Sequence, residues 1–481
     1  MKLSKIIEKI TYEKVIGSTD IEVKDLKIDS NSVSKGSLFI CVKGGGFDGH
    51  DYIRQVENYG CTVVVTERVL DTSITQIVVK NSRIAMAEIA SVFYGRADKK
   101  MKIIGVTGTN GKTTTTHFIT SILTNSGIKC GLIGTLGTFY GGKFIEPTLT
   151  TPDPIELHKT FKDMYDAGVQ VVVMEVSAHA IELNKIWGIN FEVASFTNFS
   201  HDHLDFFTDM EKYKNAKKKL FKNNLCKYIV SNTDDEVGKE IYLTENSENS
   251  VITYGIDNPA DVFAINVIER LSGTKFVINL FDKIYEVNLN LIGRFNVYNA
   301  LAASTVCALL GVKTEKIIEG LEQLKGVDGR LEKVCADKFN VFIDYAHTPD
   351  GLSKILTTLK NVCKNRLICV FGCGGNRDKE KRPIMGEISG KLSDFTVITS
   401  DNPRFEEPME IISQIENGVL KTGGKYVLVQ DRYEAIKYAI DKAKEGDLIV
   451  ICGKGSERYQ EVYGIKNLFN DKDTVEELLG R

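Results

Sequence analysis

The sequence predicts an α/β protein of three domains that is built on parallel sheets. Near-continuous apolar runs, such as `VQVVVMEVS` at residues 169–177, recur between helix-length segments. Such runs are typical of parallel strands that are covered on both faces. A chain of 481 residues is too long for one core, and its length suggests about three domains.

The composition is typical of a soluble globular protein, with 42% hydrophobic and 26% charged residues and a net charge of -3. This balance argues against a nucleic-acid-coating or polybasic membrane role. The start `MKLSKIIEKI` does not resemble a signal peptide, and no apolar run is long enough to span a bilayer. The ten cysteines form no CxxC pattern, so we expect buried free thiols in a cytoplasmic protein.

Residues 1–98 read as a small separate α/β domain. The runs `SLFICV`, `CTVVVT` and `TQIVV` predict strands, and residues 84–94 predict a helix. Residues 29–53 are dense in hydroxyl side chains and glycines. Surface turns would explain that composition, and a binding rim for a polar, phosphate-bearing ligand is the alternative.

Residues 102–116, `KIIGVTGTNGKTTTT`, predict a strand, a Gly/Thr/Asn loop and a helix. This layout is typical of a phosphate-binding loop, in which backbone N–H groups and the helix N-terminus surround the phosphates. Lys112 could reach the terminal phosphates, and Thr113 or Thr114 could supply an oxygen ligand to Mg²⁺. The usual G-x-x-x-x-G-K-[ST] spacing fails, because its first position is Val106. An ordinary glycine-rich turn is the alternative.

Two strands of the central block, residues 99–326, end in polar residues at what we expect to be one edge of a sheet. A His/Asp cluster after a strand suits metal coordination or proton handling. The alternative is a buried structural carboxylate beside surface histidines. The residues concerned are Glu175, Ser177 and His179 after the first strand, and Asn198, His201, Asp202, His203 and Asp205 after the second.

Two helices of this block carry further candidates. In `YKNAKKKLF`, Lys217 follows Ala216 on the side shared with Tyr213, so it could point inward, whereas a solvated face is the default for a lysine run. The buried helix predicted at residues 291–311 begins with Arg294, Asn296 and Asn299. The two asparagines share a face and could bond a base edge; helix capping is the competing account for Asn296.

Residues 327–481 predict a doubly wound, Rossmann-like domain. Four apolar strands are each followed by a charged turn and a helix-length segment, and these turns converge on one edge of the sheet. `GCGGNR` is a weak dinucleotide fingerprint because its glycine pattern is incomplete. A nucleotide domain beside a cation-rich α/β domain suits a reaction in which ATP activates a carboxylate and an amine attacks it.

Eleven sequence blocks occur in order along essentially the whole chain: `GVTGTNGKTTTT`, `TTPDP`, `EVSAHA`, `FTNFSHDHLDFF`, `YKNAKKKLF`, `GRFNVYNALAA`, `VDGRLEKV`, `DYAHTPDGL`, `GCGGNRDKEKRP`, `DNPRFEEP` and `GKGSERYQ`. Through these blocks the chain resembles the Mur ligases. The resemblance implies an ATP- and Mg²⁺-dependent ligase that adds meso-diaminopimelate to the D-glutamate of UDP-N-acetylmuramoyl-L-alanyl-D-glutamate. It also implies an acyl-phosphate intermediate, a cytoplasmic role in peptidoglycan precursor synthesis, and a monomer.

By this resemblance, residues 1–98 bind the UDP end of the substrate, residues 99–326 bind ATP, and residues 327–481 bind the amino acid. Catalytic roles fall to Lys112, Glu175, His203 and Lys217, and metal-binding roles to Thr113, Thr114, Glu175, His203 and a carbamylated Lys217. The implied ATP contacts are Gly108, Thr109, Asn110, Gly111, Lys112, Thr113, Thr114, Asn296, Asn299, Arg330, Asp344, Tyr345 and His347. The implied UDP-substrate contacts are Ser30, Thr150, Thr151, Ser177 and Lys185.

The motif `DNPR` accompanies meso-diaminopimelate in the family, whose distal carboxylate needs a planar cation such as Arg404. Lysine has no distal carboxylate, and a buried, unpaired Arg404 would then be costly. The remaining implied amino-acid contacts are Arg377, Asp401, Asn402, Gly453 and Glu457.

Three positions depart from the family pattern: Asn31 and Lys185 stand where arginine is frequent, and Ser456 where histidine is usual. The nearest rival functions are the same step with L-lysine and a ligase that glutamylates folate. `TTPDP` disfavours folate, and Arg404 disfavours lysine. A nucleotide-dependent switch or motor module is a rival of another class, but it leaves the arginine-rich edge of the third domain unexplained.

Overall fold

The computed structural model describes residues 1–202, 206–222, 225–245, 250–335 and 338–480. The chain forms two compact units. The first comprises Met1–Thr107, Ile128–Ala194 and Ala216–Tyr228, and the second comprises Gly108–Gly127, Ser195–Asn215 and Ile229–Arg481. Within the described residues, every helix is too short or too polar to cross a membrane.

The N-terminal part of the first unit is a five-stranded sheet in the order β1-β5-β4-β3-β2, parallel except for β1. The three predicted strands and the predicted helix are present. Leu38 and Phe39 lie in hydrophobic clusters on opposite faces, so the sheet is covered on both sides. The elements are α1 (Leu3–Ile7), β1 (Lys14–Ile16), β2 (Asp25–Lys27), β3 (Ser37–Ile40), α2 (Ile53–Asn58), β4 (Val63–Thr66), β5 (Thr75–Val78) and α3 (Ser82–Phe93).

Residues 102–323 continue the alternation of strands and helices. The elements are β6 (Lys102–Thr107), α4 (Lys112–Asn125), β7 (Cys130–Gly134), β8 (Gly137–Tyr140), β9 (Lys143–Ile145), α5 (Pro154–Asp166), β10 (Val171–Glu175), α6 (Ala178–Glu182), β11 (Phe191–Phe196), α7 (Met210–Lys218), β12 (Cys226–Asn232), α8 (Glu236–Glu245), β13 (Ser250–Gly255), β14 (Val262–Arg270), β15 (Gly273–Leu280), β16 (Lys283–Leu289), α9 (Arg294–Leu309) and α10 (Thr314–Gln323).

In the first unit, β6, β10 and β7 are parallel neighbours, and β8 and β9 extend them as an antiparallel hairpin. In the second unit, β14, β15 and β16 form an antiparallel meander beside β13. Helix α4 packs against α9 and α10. Most residues of α9 are buried, which confirms the buried helix predicted there.

The C-terminal part of the second unit is a six-stranded sheet in the order β17-β18-β22-β19-β20-β21, parallel except for β17. Its elements are β17 (Glu332–Cys335), β18 (Asn340–Asp344), α11 (Pro349–Val362), β19 (Leu367–Phe371), α12 (Lys381–Leu392), β20 (Phe395–Ile398), α13 (Pro408–Leu420), β21 (Tyr426–Leu428), α14 (Arg432–Lys442), β22 (Leu448–Cys452), β23 (Tyr459–Val462), β24 (Ile465–Leu468) and α15 (Asp471–Leu478).

This sheet confirms the doubly wound prediction, because successive residues of β19 enter clusters on opposite faces. Cys369 belongs to one cluster and Ile368 and Val370 to the other. The four predicted strands are β18, β19, β20 and β22, which are direct neighbours. Their carboxyl ends, at Asp344, Phe371, Ile398 and Cys452, therefore lie at one edge.

The predicted buried thiols are also present. Buried cysteines without a disulfide include Cys41, Cys61, Cys369, Cys373 and Cys452.

Candidate active site

The loop before α4 depends on two glycines. Gly108 has φ +147° and Gly111 has φ +85°, a region that disfavours other residues. A Cβ on Gly108 would overlap the Thr197 hydroxyl, and one on Gly111 would overlap the Asn299 amide oxygen. Gly108 therefore allows the chain to turn where the usual motif has its first glycine. Both Gly108 and Gly111 are positions where only glycine fits.

Asn198 fixes the loop from the end of β11. Its carbonyl accepts from the Thr109 N–H (2.8 Å), and its side-chain oxygen accepts from the Asn110 N–H (2.9 Å). The side-chain amide of Asn198 donates back to the Asn110 carbonyl (3.1 Å). The Thr109 hydroxyl also meets the Tyr213 hydroxyl at 3.2 Å. Asn198, expected at a strand end, is thus the loop's main anchor.

Lys112 opens helix α4 and folds back over the loop. Its ammonium donates to the carbonyls of Gly108 (2.9 Å) and Thr109 (2.8 Å). The first N–H groups of a helix have no intrahelical partner, so the start of α4 suits an anion. Thr114 is 4% exposed, and its hydroxyl has no hydrogen-bond partner among the described residues, which leaves an oxygen available for a cation or phosphate.

Asn296 and Asn299 support the loop from below. Asn299 accepts from the Thr115 hydroxyl (3.3 Å) and donates to the Asn296 side chain (3.0 Å), and Asn296 donates to the Ile292 carbonyl (2.8 Å). Both asparagines are buried. Gly293 is the residue that caps α9, so the capping account of Asn296 is wrong. Direct contact of either amide with ATP stays a prediction.

Arg330, Asp344 and Tyr345 lie together beside the loop. The Arg330 guanidinium stacks on the Tyr345 ring at 4.5 Å and donates to the Thr113 hydroxyl (3.3 Å). The Asp344 carboxylate accepts from the N–H groups of Leu331 (2.6 Å) and Ala346 (2.7 Å). Burial raises the pKa of Asp344 to about 6, against the opposing effect of Arg330. These side chains form one wall next to the phosphate loop.

His347 closes the same wall. Its Nε2 lies 4.0 Å from the Asp202 carboxylate, and its Nδ1 lies 2.9 Å from the Tyr345 carbonyl. Desolvation by the surrounding protein lowers the pKa of His347, although Asp202 opposes that shift. His203 and Asp205, the rest of the predicted His/Asp cluster, lie outside the described residues. Within the described part of the chain, no three His, Cys, Asp or Glu side chains could hold a metal ion.

In the first unit, Glu175 ends β10 in a polar cluster. Its carboxylate accepts from the N–H (2.9 Å) and hydroxyl (3.1 Å) of Thr135. The Thr151 hydroxyl donates to the Glu175 carbonyl (2.9 Å) and accepts from the Ser177 N–H (3.1 Å). The Thr150 hydroxyl lies 3.2 Å from that of Thr135. The structure thus joins Thr150, Thr151, Glu175 and Ser177, and it adds Thr135, which sequence reasoning missed.

Three other predicted residues of the first unit, Ser30, Lys185 and Lys217, are buried. Lys185 is buried, and its ammonium lies 2.9 Å from the Asp153 carboxylate, so it already has an anionic partner within `TTPDP`. Ser30 is buried in a short 3₁₀ helix, next to the exposed Asn31. Lys217 is 1% exposed and Lys218 is 8% exposed, so the alternative of an inward Lys217 holds and the default of a solvated face is wrong for both lysines.

Arg404 lies on the loop after β20. This loop belongs to the edge of the six-stranded sheet where β18, β19, β20 and β22 end, which we call the C-terminal edge. Its N–H donates to the Glu461 carbonyl (3.1 Å), its carbonyl accepts from the Tyr463 N–H (2.6 Å), and its φ is +53°. The guanidinium donates to the Gly375 carbonyl (2.9 Å) and lies 3.5 Å from the Glu461 carboxylate. Hairpin β23–β24 therefore holds the arginine, whereas Arg377 is exposed on the preceding loop.

Asn402 and Glu457 form the neighbouring part of this edge. Asn402 donates to the Glu457 carboxylate (2.8 Å) and accepts from Lys454 (3.1 Å) and the Glu461 N–H (2.9 Å). A Cβ on Gly453 would overlap the Asp401 carboxylate. Asp401, Asn402, Arg404, Gly453 and Glu457 are thus brought together. Lys454 and Glu461 are additional members that sequence reasoning missed.

Two buried ion pairs support this edge from behind. Arg432 and Asp471, both 0% exposed, share two contacts of 2.7 Å, and Arg432 also donates to the Ser400 (3.3 Å) and Cys452 (3.0 Å) carbonyls. Arg382 donates to Glu406 at 2.9 and 3.0 Å. Arg382 is the main cause that lowers the pKa of Glu406 to about 2.

Comparison with known proteins agrees with this arrangement. The Mur ligase family catalytic domain matches residues 22–94, the Mur ligase middle domain matches residues 106–307, and the Mur ligase, glutamate ligase domain matches residues 329–455. UDP-N-acetylmuramoyl-L-alanyl-D-glutamate--2,6-diaminopimelate ligase 1 of Clostridium acetobutylicum is 45% identical over 485 residues, covering 100% of this chain and 99% of the relative. A 2,6-diaminopimelate ligase of the same name from Clostridium tetani is 42% identical over 487 residues, with 100% and 99% covered.

A solved structure of a UDP-N-acetylmuramoyl-L-alanyl-D-glutamate--2,6-diaminopimelate ligase is also similar. It superposes with a TM-score of 0.70 at 31% identity and covers 95% of each chain. The similarity thus extends through the N-terminal, middle and C-terminal domains. The chain belongs to the Mur ligase family of ATP-dependent ligases.

Proposed function

We propose that the enzyme joins meso-diaminopimelate to the D-glutamate carboxylate of UDP-N-acetylmuramoyl-L-alanyl-D-glutamate, with ATP as the activating reagent. The observation that carries this proposal is the C-terminal edge, where Arg404 and Glu457 belong to one hydrogen-bonded network through Asn402 and Glu461. A cation beside an anion matches an amino acid whose far end carries both a carboxylate and an ammonium group.

The loop at residues 108–114 is the site we assign to the ATP phosphates. Its glycine conformations, the anchoring by Asn198 and the start of α4 keep the N–H groups oriented before ligand binds. We assign Lys112, in the same loop, to the γ-phosphate. Arg330 and Tyr345 stack beside Thr113 and suit the nucleotide side of the pocket.

The chemistry takes two steps. A carboxylate oxygen of D-glutamate attacks the γ-phosphorus of ATP, the bond to the β-phosphate oxygen breaks, and ADP leaves. The free amine of the amino acid then attacks the acyl carbon, the carbon–oxygen bond to phosphate breaks, and inorganic phosphate leaves as the amine loses a proton. Lys112 stabilises the charge on the transferred phosphoryl group.

Mg²⁺ is the metal that this reaction needs. The Thr114 hydroxyl fits it, since this side chain has no hydrogen-bond partner among the described residues and Mg²⁺ prefers oxygen ligands. When bound, Mg²⁺ would supply charge neutralisation on the phosphates. The roles of Glu175, His203 and a carbamylated Lys217 as further metal ligands remain part of the proposal. The Lys217 side chain is buried, which supports a role inside the protein rather than on a solvated face.

The polar cluster of Thr150, Thr151 and Ser177 is assigned to the muramoyl-peptide, and Ser30 to the uridine diphosphate region. Because Lys185 is paired with Asp153, its contact with this substrate would require the ammonium to be shared between the two. We assign residues 1–98, 99–326 and 327–481 to the UDP-substrate, ATP and amino-acid domains. We further propose a cytoplasmic monomer, which sedimentation of the purified enzyme and fractionation of cells would test.

The proposal is tested by measuring ADP release with substrates omitted one at a time. We expect ADP release only when the UDP-linked dipeptide, meso-diaminopimelate and Mg²⁺ are all present. Steady ATP hydrolysis that is indifferent to both acceptor substrates would contradict the ligase assignment. EDTA should abolish the reaction, and excess Mg²⁺ should restore it.

A further inference from the structure

Lys454 is a buried charge at the C-terminal edge with no assigned role. Its side chain is 0% exposed. The ammonium donates to the Glu457 carboxylate (2.9 Å), the Asn402 side-chain oxygen (3.1 Å) and the Tyr459 carbonyl (2.5 Å). It also lies 5.5 Å from the centre of the Tyr459 ring. The three donors of this ammonium are thus all used by protein atoms.

These contacts determine how Asn402 is oriented. Its side-chain oxygen accepts from Lys454 and from the Glu461 N–H, so its NH₂ group must face the other way, where it donates to Glu457. A flipped amide would place its NH₂ group against two donors. Lys454 and the Glu461 N–H together therefore fix the direction of the Asn402 amide.

Lys454 and Asn402 converge on the same atom of Glu457, its Oε2. The Glu457 side chain is 24% exposed, so it is accessible while this atom is held from behind. Two donors on one carboxylate oxygen limit its rotation and leave Oε1 to accept from a ligand. Charge-assisted hydrogen bonds of this kind are among the strong ones in proteins.

We propose that Lys454 is a positioning residue for the amino-acid substrate, which it never touches. It holds Glu457 in place for the ammonium group and keeps the Asn402 amide turned toward Glu457. The inference rests on the proposed function, since it takes Glu457 as a substrate contact.

Steady-state kinetics of Lys454→Met in the full-length enzyme tests this inference. We expect the KM for meso-diaminopimelate to rise roughly 10- to 100-fold, while the KM values for ATP and the UDP-linked dipeptide stay within about twofold. The matched control is Lys466→Met. The Lys466 ammonium also lies near the Tyr459 ring, 4.4 Å from its centre, but the Lys466 side chain is exposed. Its removal should therefore change none of the three KM values.

A double-mutant cycle with Glu457→Gln separates a positioning role from a structural one. If Lys454 acts through Glu457, adding Lys454→Met to Glu457→Gln should raise the KM for the amino acid little further. Fully additive effects, or an equal rise of all three KM values, would overturn the positioning role. If Lys454→Met does not fold, Lys454→Gln, which keeps an N–H donor, is measured in its place. An unchanged KM in Glu457→Gln alone would instead reject the proposed amino-acid site.

Discussion

The phosphate loop and the C-terminal edge, both in the second unit, organise their side chains in different ways. The loop is held mainly by main-chain groups and neutral amides, above all by Asn198 and Asn299, although the charged side chains of Asp350 and Arg330 contact it at Asn110 and Thr113. The edge is held by charged groups, with Lys454 and Arg432 fully buried behind it. The comparison teaches that the loop proposed for phosphates relies mainly on backbone conformation, whereas the edge proposed for a zwitterion relies on charged side chains held in fixed positions.

This difference predicts a large difference in the cost of removing one supporting group. Arg432→Met would leave Asp471 buried without a partner, and we expect a loss of about 3–5 kcal/mol in the free energy of unfolding. Thr115→Val removes only a neutral hydrogen bond to Asn299 and should cost about 0.5–1.5 kcal/mol. Urea unfolding of both variants measures this. Equal losses of unfolding free energy in the two variants would contradict the proposed difference between the loop and the edge.

Within the loop, Lys112 is the one charged group, and its removal should affect catalysis more than folding. We expect Lys112→Met to lower kcat about 10²–10³-fold, because one preorganised donor to the reacting phosphoryl group is lost. ADP release under saturating substrates is the measurement. Lys239→Met, at an exposed surface pair with Glu236, serves as the control and should retain full activity. A comparable kcat in the two variants would argue against the assigned role of Lys112.

At the edge, Arg404 should affect one substrate only. We expect Arg404→Ala to raise the KM for meso-diaminopimelate about 100-fold while leaving the KM for ATP unchanged, since a charge-assisted contact to the carboxylate is lost. Arg458→Ala, at an exposed position between β22 and β23, is the control and should have no effect. If Arg404→Ala raises the KM for ATP as much as the KM for meso-diaminopimelate, Arg404 does not act specifically on the amino-acid substrate.

The sequence predicts the loop better than the edge, because the loop residues are close together in the chain and the edge residues are not. Gly108, Gly111 and Lys112 act within one short segment, so their spacing reveals the conformation. Arg432 and Asp471 are far apart in the chain, and no local pattern indicates that they pair. The burial of Lys218 beside Lys217 was likewise missed, because a lysine run is normally solvated.

The fold shows the same division. The apolar strands β18, β19, β20 and β22 were predictable because each is a continuous buried run. Strand β17 and the short, half-buried β21 were missed, since they depend on pairing with a neighbouring strand rather than on their own hydrophobicity. Asn198 was expected near a ligand, but its bonding to the loop required the tertiary structure.

A further predicted effect concerns Asp344, whose pKa is raised by burial from 3.8 to about 6. Below the unfolded pKa the group is neutral in both states. As pH rises toward 6 the unfolded chain ionises first, so stability is lost over this window. Relative to Asp344→Asn, the wild type should lose roughly 1–3 kcal/mol of unfolding free energy between pH 4 and 6.5.

Urea titrations across this pH range measure the effect. Asp51→Asn, at a side chain that is 70% exposed, is the control and should reproduce the wild-type profile. Parallel pH profiles for wild type and Asp344→Asn would contradict the raised pKa.

The most direct test of the account is the mass of the product formed from the UDP-linked dipeptide, ATP, Mg²⁺ and a panel of amino acids. The arrangement of Arg404 beside Glu457 predicts one product, the meso-diaminopimelate adduct, with at most a trace of the lysine adduct. Equal incorporation of L-lysine and meso-diaminopimelate by the unmutated enzyme would contradict the central claim that this edge recognises a second carboxylate.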